Sequence, residues 1–412
     1  MRKSRQMALV YLACASVLSL AYTNCSGSLQ PMQLAQMNGN IDPSGDPTLP
    51  NTTPTPTPPP IVSGPGPAPT VIAEGAELYH NRCSDCHGPM ESTSKPNRSA
   101  AQISAAIQNV GRMKSEPGLI ALSAAEIQKI ADSLISNPIP TGATPQLVAE
   151  GFNFTEGPAY SPDGFLIFSD QGANRVYKYA NGMAEVFIDP ADRLNGMAFD
   201  FNGRLLGARG GMGRNVVAIA ANKTETVLAS NFEGKKFNGP NDLAPFYDGG
   251  LFFTDPVYGT PQGGQELTFK GVFRVTKEGQ VVLVDNALQN PNGIALSPDQ
   301  TRLYVADDGD DRVYVYDVAP NGATSNKRLF FTVPANSGTS GNDGMAVDAA
   351  GNLYVTCRNQ IWVVKPSGQL ITQIAIAGQL TNVAFGGADL KTLYITVGPR
   401  VYSMQIRIPG MR

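Results

Sequence analysis

The chain has 412 residues, enough for two or three domains, and it carries a formal net charge of −3 with only 16% charged residues. With so few charges and no prominent basic segment, the sequence argues against nucleic acid as a partner. The 43 glycines and 32 prolines are typical of a turn-rich β protein joined to a flexible linker. Histidine occurs only as His80 and His87, so chemistry elsewhere in the chain must use carboxylates, amides or hydroxyls.

The N-terminus is predicted to direct export. Residues 2–5 supply positive charge, and the apolar stretch 7–22 is too short to cross a bilayer comfortably. The stretch leads to Cys25, and residues 1–25 resemble a bacterial lipoprotein signal peptide, in which that cysteine becomes the lipid-bearing first residue. Simple cleavage and an uncleaved anchor are the alternatives, whereas Cys14 has too little apolar sequence before it.

Residues 26–70 are rich in proline and threonine and contain almost nothing that could be buried. Prolines keep such sequence extended, so we expect a disordered spacer between the anchor and the folded part. The expected location is the periplasm or cell envelope, on the membrane to which the lipid is attached.

Cys83-Ser-Asp-Cys86-His87 has the spacing of a haem-attachment motif. Two thiols at this spacing can add to the two vinyl groups of a haem, and the histidine that follows can bind the iron. A zinc half-site would need two further ligands, and this segment offers no other cysteine and only His80. A redox-active disulfide would need a βαβ setting, whereas the neighbouring sequence indicates helices. We therefore predict a covalently attached haem c.

The segment 71–138 is predicted to be helical. Gly75 and Tyr79 lie on one face of a first helix, and Ser123 with Glu126 has the spacing of a capping box that opens a last helix. The glycine would let the last helix cross the first closely. The segment resembles the small class I cytochromes c, and this resemblance implies an electron-transfer domain.

The same resemblance implies a methionine as the sixth iron ligand. Met113 lies between the second and last predicted helices, where the family places that ligand, and the alternative is a packing role in a loop or the core. Met90 is too close to His87 to reach the opposite face of a haem. A His/Met pair raises the reduction potential and leaves no iron position for substrate.

Residues 145–412 follow a different, repeated pattern, in which an apolar strand, a turn with Gly or Asp and a second strand rich in Leu, Tyr, Phe and Val recur. Copies at intervals of roughly 40–50 residues are expected for four-stranded propeller blades. The copies lie at 159–168, 198–206, 243–253, 295–305, 346–355 and 384–394. We therefore predict a small all-α domain followed by an all-β six-bladed β-propeller, because the turns are too regular for a doubly wound sheet.

Acidic and amide residues stand just before most of these repeats. They are Glu156, Asn195, Asn241 with Asp242, Asn292 and Asp343. The functional groups of a propeller gather where the inner strands meet at the central channel, so these oxygens are predicted to surround one axis.

The motifs around these residues resemble those of the gluconolactonase/regucalcin family, which includes diisopropyl-fluorophosphatase-like lactonases. The motifs are Glu156-Gly-Pro158, Gly239-Pro-Asn-Asp242 with Phe253-Thr-Asp-Pro256, Pro291-Asn-Gly293 and Asn342-Asp-Gly-Met345. The family forms six-bladed propellers with one divalent cation in the channel. Its ligands carry over to Glu156, Asn241, Asn292 and Asp343.

Two carboxylates and two amide carbonyls are hard oxygen donors, which suit Ca²⁺, with Mg²⁺ or Mn²⁺ as alternatives. Zinc is less suited because the segment has no histidine. The alternative for each asparagine is a turn residue that bonds only to the backbone.

The resemblance implies a metal-dependent hydrolase that opens a sugar lactone or a similar ester. Asp343 would orient or deprotonate the attacking water, or attack directly, with Glu156 beside it in the catalytic site and Asn195 facing the substrate. An alternative is an electron-transfer protein whose propeller is a non-catalytic binding or docking module. A third is a single redox enzyme whose haem oxidises a substrate bound in the propeller. The expected partners are a small lactone or ester, the membrane and a redox protein such as a periplasmic sugar dehydrogenase.

Three further features are interpreted as structural. Residues 307–311 are predicted to form a solvated hairpin turn rather than a second calcium site. Cys357 is expected to be buried in a strand, and Trp362, the only tryptophan, is expected to pack between blades.

Overall fold

The computed structural model describes residues 71–87, 93, 95–110, 113, 117–261, 263–334 and 341–411. The predicted signal peptide with Cys25, the linker 26–70, Met90 and the side chain of Cys86 lie outside the described residues. Within the described part of the chain, no helix is both long enough and apolar enough to cross a membrane.

Short helices occupy the segment that was predicted to be helical. They are α1 (Val71–Arg82), α2 (Ser84–His87), α3 (Ala100–Asn109), α4 (Pro117–Ile120) and α5 (Ala124–Ser133). The predicted capping box is confirmed, because the Ser123 side chain accepts from Glu126 N while the Glu126 side chain accepts from Ser123 N. These two bonds satisfy backbone donors at the start of α5 that would otherwise lack partners.

Helices α1 and α5 cross at Gly75. A Cβ atom at this position would lie 1.9 Å from the carbonyl oxygen of Lys129 on α5, so only glycine allows the crossing. Beside it, Tyr79 packs with Ile130 and Leu134 in a buried apolar cluster. The predicted close approach of the first and last helices is therefore confirmed.

Six four-stranded antiparallel sheets form the blades of the propeller. Blade 1 contains β2 (Thr155–Tyr160), β3 (Leu166–Asp170), β4 (Arg175–Ala180) and β5 (Met183–Ile188); blade 2 contains β6 (Leu194–Phe199), β7 (Leu205–Arg209), β8 (Asn215–Ile219) and β9 (Glu225–Ala229); blade 3 contains β12 (Leu243–Pro245), β13 (Leu251–Asp255), β14 (Gly271–Val275) and β15 (Val281–Asp285). Blade 4 contains β16 (Pro291–Leu296), β17 (Arg302–Asp307), β18 (Arg312–Val318) and β19 (Thr324–Thr332); blade 5 contains β20 (Asn342–Val347), β21 (Leu353–Cys357), β22 (Gln360–Val364) and β23 (Leu370–Ala375); blade 6 contains β24 (Leu380–Gly386), β25 (Thr392–Val397), β26 (Arg400–Gln405) and β1 (Gln146–Glu150). A short hairpin of β10 (Asn231–Phe232) and β11 (Lys235–Lys236) lies between blades 2 and 3. The predicted six-bladed β-propeller is confirmed.

The ring is closed by the two ends of the propeller sequence. The N-terminal strand β1 pairs with β26, with Gln146 opposite Ser403, and so becomes the outer strand of the last blade. Because the last sheet takes strands from both ends, the ring cannot open there without breaking the backbone hydrogen bonds between β1 and β26.

The first strands of the blades surround a central channel. Each neighbours the first strands of the two adjacent blades, and the second strands β3, β7, β13 and β21 are buried along their whole length. Trp362 packs with Val313 and Met345 between blades 4 and 5, and Cys357 is buried in the same cluster, as predicted. The core thus consists of apolar layers between blades, which hold the first strands around the channel.

The helical segment packs against one end of the propeller. Ile135 joins an apolar cluster with Ala349 in the β20–β21 turn and with Ile408 and Met411 near the C-terminus. Arg407 N donates to the carbonyl oxygen of Pro138 (2.8 Å). This contact lies at the end of the channel where the first strands finish.

Candidate active site

The polar residues singled out in the sequence lie at the beginning of the first strands. The regular pairing of four of these strands is interrupted there, between Glu156 and Ala159, Leu194 and Met197, Pro291 and Ile294, and Asn342 and Met345. Such bulges re-aim side chains, and they are common next to active sites. Glu156, Asn195, Asn292 and Asp343 each occur within one of these interruptions.

Glycines next to these residues bring the first strands close together. A Cβ at Gly157 would lie 1.8 Å from the carbonyl oxygen of Asn195, and one at Gly293 would lie 2.3 Å from that of Asp343. Gly157 also has φ +49°, in the left-handed region that favours glycine. Larger residues would push neighbouring blades apart at the channel axis, so the glycines fix the spacing of the site.

Three neighbouring carboxyl groups in the channel have raised pKa values. Burial, with a smaller contribution from the Asp242 carboxylate, raises the pKa of Glu156 to about 8. Burial also raises the pKa of Asp242 to about 7. Burial and then the Glu156 carboxylate raise the pKa of Asp343 well above its usual range. The three groups are therefore close enough to oppose one another's ionisation.

The donor set fits a divalent cation held by mixed ligands. No three His, Cys, Asp or Glu side chains of the described residues form a metal site by themselves. Glu156 and Asp343 supply charge, however, and Asn195 Oδ1 is buried without a hydrogen-bond partner among the described residues. Asn241 lies immediately before β12, and its carbonyl oxygen accepts from Gly196 N (2.7 Å). Carboxylates with amide oxygens are suited to a hard cation.

Asn292 is bonded to two neighbours. Its Nδ2 donates to the hydroxyl of Tyr258 (2.7 Å), which in turn donates to Asp308 Oδ2 (2.9 Å). Asn292 also hydrogen-bonds the Asp343 carboxyl, which lowers the pKa of that group against the larger effects of burial and charge. Loss of solvent around its hydroxyl, followed by the Asp343 and Asp308 carboxylates, raises the pKa of Tyr258, so the phenol keeps its proton.

The sequence analysis missed four residues of this site. Asp242 was noted but not assigned a role, and Asn382, which hydrogen-bonds Glu156 and Asp242, was not noted at all. Asn382 stands two residues before the sixth repeat, so the offset used for the other blades would have found it. Tyr258 and Asp308 lie in loops, where the repeat gives no indication of contact.

The solvated hairpin predicted for residues 307–311 is only partly correct. Asp307 is 1% exposed, and its carboxylate accepts from Gln289 N and Asn290 N (both 2.7 Å). The same arrangement occurs in blade 3, where Asp255 accepts from Asn238 N and Gly239 N. These aspartates hold the segments that lead into the first strands, which is the physical reason for their burial.

Towards the end where the first strands finish, the channel contains a cavity of about 700 Å³. Its walls are mostly apolar, with Met197, Ile294 and Phe385 among them, and Asp242 and Asn382 also line it. Met411, which contacts the helical segment, lines it as well. The cavity therefore extends from the helical segment as far as Asp242 and Asn382, and Asn382 hydrogen-bonds Glu156.

In the helical segment, Cys83 and Met113 pack against one apolar cluster of Ile107, Leu119 and Ile127. His87 ends α2, and its N–H donates to the carbonyl oxygen of Cys83 (3.0 Å), one helical turn away. The predicted attachment residue Cys83 and the predicted iron ligand Met113 thus contact the same apolar cluster.

The comparisons with known proteins concern the propeller. The family described as the SMP-30/Gluconolactonase/LRE-like region matches residues 154–398. A gluconolactonase of Zymomonas mobilis is 30% identical over 303 residues, which are 67% of this chain and 83% of that protein.

Two solved structures resemble the same region. A gluconolactonase of Xanthomonas campestris superposes with a TM-score of 0.60 at 29% identity and covers 66% of this chain and 91% of its own. A calcium-binding regucalcin of Agrobacterium tumefaciens has a TM-score of 0.55 at 19% identity, covering 65% of this chain and 96% of its own, which shows likeness of fold. The gluconolactonase relatives support the predicted lactonase-type hydrolase. The chain belongs to the SMP-30/gluconolactonase/LRE-like family.

Proposed function

We propose that the propeller is a divalent-metal-dependent lactonase that opens a sugar lactone or a similar ester. The observation that carries this proposal is the cluster of Glu156, Asp343 and Asn292 at one end of the channel, in a chain whose relatives include gluconolactonases. The calcium-binding regucalcin of similar fold favours Ca²⁺ as the cation.

Glu156, Asn241, Asn292 and Asp343 would hold the cation. When bound, it would act as a Lewis acid that polarises the lactone carbonyl. Asn195 would orient the substrate through its buried amide oxygen, which can accept a hydrogen bond from a sugar hydroxyl.

Asp343 would take the proton of the attacking water. The water oxygen bonds to the carbonyl carbon, the ring C–O bond breaks, and the ring oxygen leaves as an alcohol after accepting a proton. Direct attack by the Asp343 carboxylate would instead form an acyl intermediate, which water then cleaves.

We propose separately that residues 71–138 form a cytochrome c domain. The supporting observation is that Cys83 and Met113 contact one apolar cluster. Cys83 and Cys86 would attach the haem, and His87 and Met113 would occupy its two axial positions. The bound haem would carry single electrons.

We also propose export through the signal peptide, lipid attachment at Cys25 and electron exchange with a periplasmic oxidoreductase such as a sugar dehydrogenase. Oxidation of a sugar yields a lactone and electrons. One protein would then accept the electrons and open the lactone, and the shared tether would raise the effective concentration of both steps.

The deciding experiment assays the full chain against aldonolactones, other esters and organophosphates, with Ca²⁺ and after chelation. We expect aldonolactone opening that is lost on chelation and restored by Ca²⁺. If no substrate is hydrolysed although Ca²⁺ binds, the propeller is a binding or docking module, which is the alternative function.

A further inference from the structure

Tyr258 reaches from blade 3 to a residue of blade 4. It follows β13, and the loop is tied to the next blade because Val257 N donates to Asn290 Oδ1 (3.1 Å). Although 54% of Tyr258 is exposed, its hydroxyl is in contact with Asn292 and Asp308. The tyrosine thus lies at the mouth of the site with its polar end inward.

The Asp308 carboxylate sets the direction of the two hydrogen bonds that the Tyr258 hydroxyl makes. An ionised carboxylate accepts and cannot donate, so the single hydroxyl proton of Tyr258 points to Asp308 Oδ2. The hydroxyl oxygen can then only accept from Asn292, and it must face Nδ2 rather than Oδ1. The second neighbour, Asp343, also takes a hydrogen bond from this amide. Both contacts therefore use the nitrogen and leave Oδ1 available.

Asp308 is held firmly enough to control this direction. Its N–H donates to the carbonyl oxygen of Asn290 (3.0 Å). On the other side, a Cβ at Gly341 would lie 1.9 Å from Asp308 Oδ1, so the carboxyl packs directly on the backbone that leads into β20. Because Asp308 is fixed from both sides, its acceptor position towards Tyr258 is fixed as well.

We propose that Tyr258 and Asp308 are positioning residues that fix the orientation of the Asn292 amide and so present Oδ1 to the divalent cation. This inference rests on the proposed metal-dependent function. An amide rotated by 180° has the same shape but turns its NH₂ group towards the cation. Groups that orient metal ligands in this way typically contribute about 10–100-fold to metal affinity.

The test is a double-mutant cycle on the full chain, with Ca²⁺ affinity measured by calorimetry. Tyr258→Phe should weaken Ca²⁺ binding about 10–100-fold in the otherwise native chain. In an Asn292→Asp background the same change should cost less than about threefold, because a carboxylate has two equivalent oxygens and no orientation to fix. Asp308→Ala should show the same dependence on the background, which provides a second route if one variant fails to fold.

Tyr314→Phe is the matched control. The hydroxyl of Tyr314 donates to Asp310 Oδ2 (2.9 Å) in the same blade, and among the described residues it contacts no proposed metal ligand. This variant should leave Ca²⁺ affinity unchanged within about twofold, as expected for a site without coupling.

Two outcomes would overturn the inference. An equal loss in both backgrounds would mean that Tyr258 acts through general structure, and no loss in either would mean that it does not orient Asn292. In both cases the native chain still binds Ca²⁺ and the proposed function stands. Failure of the native chain to bind any divalent cation would instead refute the proposed function, and the inference with it.

Discussion

Glu156 in blade 1 and Asp343 in blade 5 show that the pKa of a side chain can depend on a residue of another blade. The fold raises the pKa of both acids, and the Glu156 carboxylate raises the pKa of Asp343 further. Such an arrangement is unfavourable for an isolated protein at neutral pH and favourable around a cation. The residues that make the site are therefore also a source of instability when no cation is bound.

The first prediction concerns the two carboxylates. The Glu156→Gln, Asp343→Asn double variant keeps the shapes of both side chains and removes both charges, so we expect at least a tenfold loss of Ca²⁺ affinity. Metal content after dialysis measures this. Asp348→Asn is the control, because Asp348 is also a buried acid but follows β20 at its other end. Unchanged metal content in the double variant would contradict the site.

The second prediction concerns pH. A carboxyl whose pKa is higher in the folded protein binds its proton more tightly there than in the unfolded chain. The free energy of unfolding then falls as pH rises from the unfolded value, 3.8 for aspartate, towards the folded value, about 7 for Asp242 and about 8 for Glu156. We expect the melting temperature of metal-free protein to fall between about pH 5 and 8.

Two measurements check this pH dependence. Asp242→Asn should flatten the decline, whereas the same change at the exposed Asp389 should not. Saturating Ca²⁺ should also flatten it, because binding to the folded state favours the ionised ligands. A metal-free protein whose melting temperature rises over this range would contradict the assignment of the buried acids.

At the scale of elements, close backbone contacts position both parts of the chain. Helices α1 and α5 cross at Gly75, and the first strands of the propeller approach one another at Gly157 and Gly293. In each case the neighbouring backbone leaves no room for a Cβ atom. Glycine therefore allows the close approach, which also positions the side chains next to it. The site therefore depends on these contacts as much as on its polar groups.

The third prediction tests the helix crossing. In an open helix position, replacing glycine with alanine stabilises by about 1 kcal/mol. At Gly75 the new Cβ would meet the carbonyl oxygen of Lys129, so we expect Gly75→Ala to destabilise the helical segment by about 1–3 kcal/mol. Hydrogen exchange measures this destabilisation, because the backbone amides of α1 and α5 should exchange faster in the variant. Slower exchange there would show that the helices do not cross closely.

Elements with local signals could be predicted from the sequence. The capping box of α5 is a spacing of three residues, and the blades follow from the alternation and turns of each repeat. The contact of Tyr258 with Asp308 could not be predicted, because it joins residues 50 apart through two loops that the repeat does not constrain. Asp307 was wrongly placed in solvent because an acid in a turn is usually exposed, whereas here it bonds to backbone amides.

At the scale of the whole molecule, the helical segment and the acids Glu156 and Asp343 are at different ends of the propeller. Ile135 contacts the β20–β21 turn, whereas Asp343 stands at the beginning of β20. A six-residue strand separates them, which is about 20 Å at the usual rise per residue. This separation disfavours a mechanism in which a haem oxidises a substrate bound beside Glu156 and Asp343.

The fourth prediction follows from this separation. The Cys83→Ala, Cys86→Ala double variant should lose covalent haem, detected in denaturing gels by haem staining. Its rate of lactone opening should stay within about twofold of the rate of the native chain. Substitutions this far from a site are expected to act independently of it. Covalent haem that persists in the variant would refute the attachment site, and a large loss of hydrolysis would show coupling between the two ends.

The position of the helical segment also determines which surfaces remain free for diffusing molecules. Among the described residues, it contacts the side of the propeller where the apolar cavity lies, and not the side that carries Glu156 and Asp343. A protein docked on the helical segment would thus not stand in the path of a small molecule that enters from the carboxylate side. If the proposed electron exchange takes place on the helical segment, a competitive inhibitor of the hydrolase should therefore leave its rate unchanged.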